Sequence, residues 1–194
     1  VHAEKLHLLV QDCLQFLKDE VALDAKPNAI AVGSGPGSYT GLRIGLSVAK
    51  GLAYGLDIPL MGISSLEVLY YSLKALHPTE FQKHPIFWPM IDARRMEVYT
   101  LCLDDTASLL SPLKAMILDE ELPNKKGVCF GDGADKAIEL LEWNGFEVVT
   151  GILPMAKGLL VPALSRFSKA EFEDSEVYEP DYLKEFQALK KKSS

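Results

Sequence analysis

IFWPMIDARRMEVYTLCLDDTASLLSPLKAMIL, residues 86–118, is the stretch on which the fold turns. Three apolar runs, 86–91, 98–103 and 113–118, follow one another with no helical spacing between them. Runs of this length, rich in β-branched and aromatic residues, predict three consecutive strands. Asp92-Ala93-Arg94-Arg95 joins the first two as a hairpin. Downstream, 128–130 reads as a strand, and Gly131-Asp132-Gly133 turns it into a helix at 134–143 that Asn144-Gly145 stops. A strand at 146–149 and a long helix at 155–171 follow.

Upstream the pattern is shorter. Leu6, Leu9, Val10, Cys13, Leu14 and Leu17 recur at helical spacing and predict an amphipathic helix over 3–18. Pro27-Asn28 breaks it. A strand at 30–33, a glycine-rich loop at 33–38, a helix at 39–54 and a strand at 59–63 come next. Ser64 with Glu67 resembles a capping box, which would open a helix to residue 76. Residues 77–85, polar and carrying two prolines, read as a linker. The second half is thus βββ(α)βαβα and the first αβαβα. The halves match if three strands are missing from the front. A duplicated βββαβαβα unit describes the actin, sugar-kinase and heat-shock ATPase superfold, which is ribonuclease H-like. The expected architecture is therefore α/β in two lobes, 1–76 and 86–172, with a tail at 173–194. The first lobe lacks its three N-terminal strands, and the tail is a candidate to return to it. The other reading is a plain α/β fold whose halves agree by chance.

Composition bounds the function. The 194 residues hold 20 Lys and Arg against 27 Asp and Glu, a net charge of −7, which argues against a broad nucleic-acid surface. Apolar residues at 48% and charged residues at 24% are globular proportions. Lys50, Asp57 and Lys157 interrupt the longest apolar stretches before they could span a membrane. The first twenty residues are too charged for a secretion signal. Cys13, Cys102 and Cys129 are scattered in apolar runs and read as buried thiols of a reducing compartment. The expected location is the cytoplasm.

The glycine loop fails both standard nucleotide patterns. No Gly-Lys pair follows Gly35 or Gly37, and neither Gly33-x-Gly35 nor Gly35-x-Gly37 leads to a third glycine at the required spacing. A tight strand-to-helix turn and an anion site at the helix start are the two readings. In the helix behind it, Gly41, Gly45, Ala49 and Ala53 recur every four residues as a stripe of small side chains. Each helical glycine costs about 1 kcal/mol relative to alanine. Close helix packing offsets that, either with a partner or within the monomer.

Gly35-Pro36-Gly37-Ser38-Tyr39-Thr40-Gly41-Leu42-Arg43-Ile44-Gly45, with Ala49-Lys50-Gly51-Leu52-Ala53 after it, closely resembles the TsaB (YeaZ) family. Asp92-Ala93-Arg94-Arg95-Met96-Glu97-Val98-Tyr99, Ser64-Ser65-Leu66-Glu67 and Pro180-x-Tyr182-Leu183 fit the same family, and His2-Ala3-Glu4 matches the start of its first helix. The resemblance implies a factor for threonylcarbamoylation of the adenosine beside the tRNA anticodon. It implies a non-catalytic subunit that pairs with a TsaD-like paralogue and a TsaE-like ATPase, and that meets tRNA only through the complex. ATP and metal then belong to the partners, and no catalytic, cofactor or metal residue is expected in this chain.

The residues agree with that division. His2 and His7 lie about 140° apart around a helix, and His77 and His84 flank prolines. No Cys/His cluster has zinc spacing. The hairpin at 92–96 has no glycine to cradle phosphate, and Gly131-Asp132-Gly133-Ala134 reads either as a turn and cap or as a remnant of an adenosine-binding turn. Arg94 and Arg95 are a hairpin tip or an anion contact. The acidic run Glu171, Glu173, Asp174, Glu176, Glu179 and Asp181 reads as a solvated face.

The expected partner face comprises Leu8 and Phe16 on the first helix and Gly41, Arg43, Gly45, Ala49 and Ala53 on the second. The two helices are expected to pack as a pair and to meet the paralogue, or a second copy of this chain, as a four-helix contact. Two rival functions remain open: an independent enzyme of the superfold (ATPase, kinase or metallopeptidase-like) and a homodimeric binding module.

Overall fold

The computed structural model describes residues 5–20 and 27–183. Helix α1 (Leu6–Glu20) precedes β1 (Ile30–Gly35), α2 (Tyr39–Leu56), β2 (Leu60–Ser64) and α3 (Ser65–Leu76). A single turn, α4 (Pro78–Phe81), leads into β3 (Ile86–Asp92), β4 (Glu97–Asp104) and β5 (Leu109–Ile117). Then come β6 (Val128–Phe130), α5 (Asp132–Asp135), α6 (Ile138–Trp143), β7 (Glu147–Val149), a 3-10 turn at Ala156–Leu159 and α7 (Leu160–Ser168).

The strands form two sheets. β1 and β2 pair in parallel, and the larger sheet has the order β5-β4-β3-β6-β7. β4 runs antiparallel to both β3 and β5, whereas β6 lies parallel to β3 and β7 parallel to β6. This is a meander with its first strand at the centre, extended by two crossover strands. It is the arrangement a βββαβαβ unit produces, and it makes this an actin-like, ribonuclease H-like α/β fold. β1-α2-β2 reproduces the two crossover strands of a first such unit.

Burial explains why the sheet was readable. Central β3 is buried from Phe87 to Ile91, hence its unbroken apolar run. One face of the sheet packs on α3 through Leu66, Leu69, Tyr70 and Leu73. The other packs on Ala134, Ala137 and Leu141 of the α5–α6 segment. The third helix, drawn with residues 1–76, thus shares its core with the strands of 86–149. Gly158 allows the 3-10 turn onto α3. A Cβ there would stand 2.4 Å from the Val68 carbonyl oxygen and 2.5 Å from Ser72 Oγ.

Several elements differ from expectation. β5 starts at Leu109, because Pro112 is tolerated on an edge strand where the β4–β5 register is irregular. The helix expected at 134–143 is broken at Ala137, whose backbone is not helical. The last helix ends at Ser168 and carries Pro162 in its first turn. The linker contains α4.

The expected pairing of the first two helices leaves no buried contact on α1, none of whose residues is buried. Two strands about 4.8 Å apart offer room for one helix about 10 Å across, and α2 occupies it. Cys13 on α1 is accordingly exposed, against the expectation of three buried thiols, while Cys102 and Cys129 are buried.

Beyond α7 the chain returns across the smaller sheet. Glu173 N–H donates to the Leu60 carbonyl at 2.8 Å in an antiparallel bridge, and Asp181 N–H donates to the Ser34 carbonyl at 2.8 Å. Tyr178 packs on the core of Leu46, Ala49, Ala53 and Leu60. Among the described residues no helix is long and apolar enough to cross a membrane.

Candidate partner face and glycine loop

The glycine loop is a strand-to-helix turn. Ser38 caps α2, its Oγ accepting from Gly41 N–H at 3.3 Å. Gly35 has φ of +122°, and a Cβ on it would come 2.7 Å from the Asp181 carbonyl oxygen, so both backbone shape and close approach demand glycine. Ser34 Oγ donates to Asp181 Oδ2 at 2.7 Å. The anionic group beside this loop is the chain's own aspartate.

The returning segment also organises the outer face of α2. The Arg43 guanidinium lies 4.3 Å from the Tyr39 ring centre, and its Nε donates to Tyr182 Oη at 3.0 Å. That hydrogen bond raises the Arg43 pKa further above its ordinary value. The Tyr39 and Tyr182 rings are 5.0 Å apart. Lys50 Nζ donates to the carbonyls of Glu176 and Tyr178 at 3.2 and 3.1 Å. Pro180-x-Tyr182-Leu183 is visible as a motif, but these contacts join positions more than a hundred residues apart and leave no local pattern.

The small-residue stripe divides. A spacing of four residues advances about 400° around a helix, so the stripe drifts about 40° per step. Gly41 is exposed and Gly45 half-buried, and no atom of the described residues lies within 4 Å of where a Gly45 Cβ would project. Ala49 and Ala53, 5% and 2% exposed, lie in the core against Leu60. These two pack within the monomer, and Gly41, Arg43 and Gly45 are left on the outside. On α1, Leu8 and Phe16 are exposed, as are Leu9, Leu14 and Leu17. Two apolar groups expected outside the main face of that helix therefore stand with its main face in solvent.

The hairpin between β3 and β4 is built from charge rather than glycine. Arg94 and Arg95 both adopt positive φ, +75° and +51°, within a reversal closed by Ala93 N–H donating to the Glu97 carbonyl at 3.0 Å and Glu97 N–H donating to the Arg94 carbonyl at 3.1 Å. Asp92 Oδ1 accepts from Arg94 N–H at 2.8 Å and pairs with Lys136, whose Nζ also reaches the Glu97 carbonyl. Burial pushes the Asp92 carboxyl up, but the Lys136 and Arg94 hydrogen bonds outweigh it and hold it below the ordinary carboxylate value. Asp132 Oδ1 accepts from Asp92 N–H at 2.9 Å. A Cβ on Gly131 would stand 2.3 Å from the Met90 carbonyl oxygen, and one on Gly133 would stand 2.9 Å from the Ile91 carbonyl carbon. These glycines let the turn lie against β3, which is the turn-and-cap reading. Both arginine side chains are exposed.

Of the histidines, His7 is exposed on α1, His77 ends α3, His84 follows α4, and His2 lies outside the described residues. Burial raises the Cys102 thiol pKa to about 11 and that of Cys129 to about 12, leaving both protonated and unreactive at neutral pH.

Comparison with known proteins points one way. The family model described as TsaD, tRNA N6-adenosine threonylcarbamoyltransferase, matches residues 1–115. The Escherichia coli tRNA threonylcarbamoyladenosine biosynthesis protein TsaB is 28% identical over 98% of this chain and 84% of its own length. Its Bacillus subtilis namesake is 43% identical over 49% of this chain and 35% of its own. The solved structure of YeaZ from Pseudomonas aeruginosa superposes with a TM-score of 0.78 at 27% identity, covering 94% of this chain and 85% of that one.

Proposed function

This chain belongs to the TsaB (YeaZ) family, and we propose that it acts in tRNA threonylcarbamoyladenosine biosynthesis as the non-catalytic partner of a TsaD-like paralogue. The observation that carries this reading is the similarity to a TsaB protein along 98% of the chain. A TsaE-like ATPase completes the assembly, and tRNA is met through the complex in the cytoplasm. The transfer chemistry, with its ATP and metal, resides on the partners. Supporting that division, Asp92 and Asp132 are committed to holding their own hairpin, and the glycine loop is filled by Asp181.

The docking face in this proposal is the outer surface of α2 at Gly41, Arg43 and Gly45, together with Leu8 and Phe16 of α1. Two considerations support it. An exposed helix with five large apolar side chains has surface to give a partner, each worth about 1.5–3 kcal/mol if fully buried. The small residues on the open side of α2 admit a second backbone closely. The same face would serve a homodimer when the paralogue is absent.

The test is sedimentation of the chain with a TsaD-like protein, beside an assay of threonylcarbamoyladenosine formation with a TsaE-like ATPase. Association is expected with the TsaD-like protein alone, and modified tRNA only when all components are present. Gly45→Leu, projecting into open space, should abolish association at native ellipticity. Ala49→Leu, in the core, should unfold the smaller sheet instead. Unchanged association of the folded Gly45→Leu variant would remove this face from the proposal. No association of the unaltered chain would remove the partner role.

A further inference from the structure

We propose that Glu80, His84 and Glu147 form a site for one divalent transition-metal ion of the zinc class. Glu80 belongs to α4, His84 lies just past its end, and Glu147 opens β7. One ligand atom from each lies within 4.8 Å of the others.

The geometry at His84 is what singles the group out. Its Nε2 is buried and has no hydrogen-bond partner among the described residues. Yet Glu147 Oε1 is only 3.2 Å away. The distance suits a hydrogen bond but the direction does not. Two ligands of one ion show this combination, because each aims its lone pair at a common third point rather than at the other. With metal–donor distances of about 2.0–2.2 Å, neighbouring ligand atoms stand about 2.8–3.1 Å apart around an octahedral ion and about 3.3–3.6 Å apart around a tetrahedral one, and the observed separation falls between the two.

The donor set names the metal class. One imidazole and two carboxylates suit zinc, manganese or nickel, whereas calcium asks for six to eight oxygens. Three protein ligands leave further positions for water. Glu80 now holds Lys83, Oε1 to Nζ, at 2.7 Å, on a surface where both side chains are accessible. An exposed ion pair of this kind contributes little, so a dication displaces the ammonium readily. Glu147 is about half exposed, which leaves the approach open. The ion would clip the connection between α3 and β3 to the far edge of the larger sheet. Sequence spacing could not show this, since Glu80 and His84 stand in a polar linker and the third ligand comes from a distant strand.

The experiment is titration of the tag-free full chain with zinc sulfate by calorimetry, with hydrogen exchange at residues 77–84 in parallel. One equivalent should bind with micromolar affinity and slow exchange across that segment. Glu147→Gln and His84→Ala should each weaken binding by at least about tenfold through loss of one ligand, and His77→Ala should leave it unchanged. Glu147→Gln alters an exposed side chain, so its effect is readable even if His84→Ala fails to fold. The proposal is overturned if the unaltered chain shows no saturable one-to-one binding, or if binding survives Glu147→Gln at full strength.

Discussion

Replacing Gly62 with alanine tests whether the returning segment 173–183 is held by a single aromatic anchor. A Cβ at Gly62 would stand 1.8 Å from Tyr178 Oη, 2.4 Å from Cζ and 2.7 Å from Cε1. Three atoms of a rigid ring are involved, so turning the hydroxyl cannot relieve the clash and the ring must leave its slot. Complete burial of a large apolar side chain is worth about 1.5–3 kcal/mol. Tyr178 is partly buried, so about half of that, roughly 0.8–1.5 kcal/mol, is lost. At about 1.4 kcal/mol per factor of ten, the segment should open about tenfold more often. The assay is native-state hydrogen exchange at the Asp181 and Glu173 amides, which donate to Ser34 and Leu60. Both should exchange about tenfold faster while amides of α3 keep their rates. Tyr178→Ala should give the same acceleration, and the double variant little more, because both remove one contact. Unchanged exchange at Asp181 in Gly62→Ala, or equal acceleration throughout the chain, would refute the anchor.

Three further outcomes follow from the geometry. A thiol reagent should modify one cysteine in the native protein, Cys13, and all three in denaturant, because Cys102 and Cys129 are buried and kept protonated; rapid labelling of three thiols without denaturant would contradict the burial. The Asp92 carboxyl has its folded pKa lowered by Lys136 and the Arg94 N–H, against the pull of burial. Its contribution is therefore present above the unfolded carboxylate pKa and lost as pH falls through the folded value. Lys136→Met should flatten that acid limb of a urea-midpoint profile while leaving the neutral-to-alkaline limb unchanged. Gly158→Ala should destabilise by about 1–3 kcal/mol in urea unfolding, the cost of overpacking, since its Cβ would meet the Val68 carbonyl of α3.

What was legible in the sequence was whatever burial writes as local pattern. β3 is covered on both faces and so carries a continuous apolar run, and the Asp92–Arg95 hairpin shows as a charged break between two strands. The α5–α6 break was not legible, because alanine at position 137 favours helix and tertiary packing overrides it. The stripe on α2 was read as one surface, but four-residue spacing drifts, which put Ala49 and Ala53 inside and left Gly41 and Gly45 outside. The face around Arg43 was half visible: its own helix could be read, whereas Tyr182, which fixes the guanidinium, is brought there by backbone hydrogen bonds that leave no periodicity. Cys13 was misjudged for a related reason, since an amphipathic pattern announces a face to be covered without saying what covers it.

The segment that crosses the smaller sheet gives new meaning to the acidic run. It lies along the side of β2 away from β1 and spends one backbone pair there, at Leu60 and Glu173. An uncovered strand is a template on which another chain can add itself. Here the template is roofed by a ribbon bearing Glu171, Glu173, Asp174, Glu176 and Glu179, on a molecule whose net charge is already −7. A second copy approaching that margin meets its own sign of charge before it meets any free carbonyl. At the β2 edge these carboxylates thus oppose strand addition by a second copy, most strongly at low ionic strength and less as salt shortens the screening length.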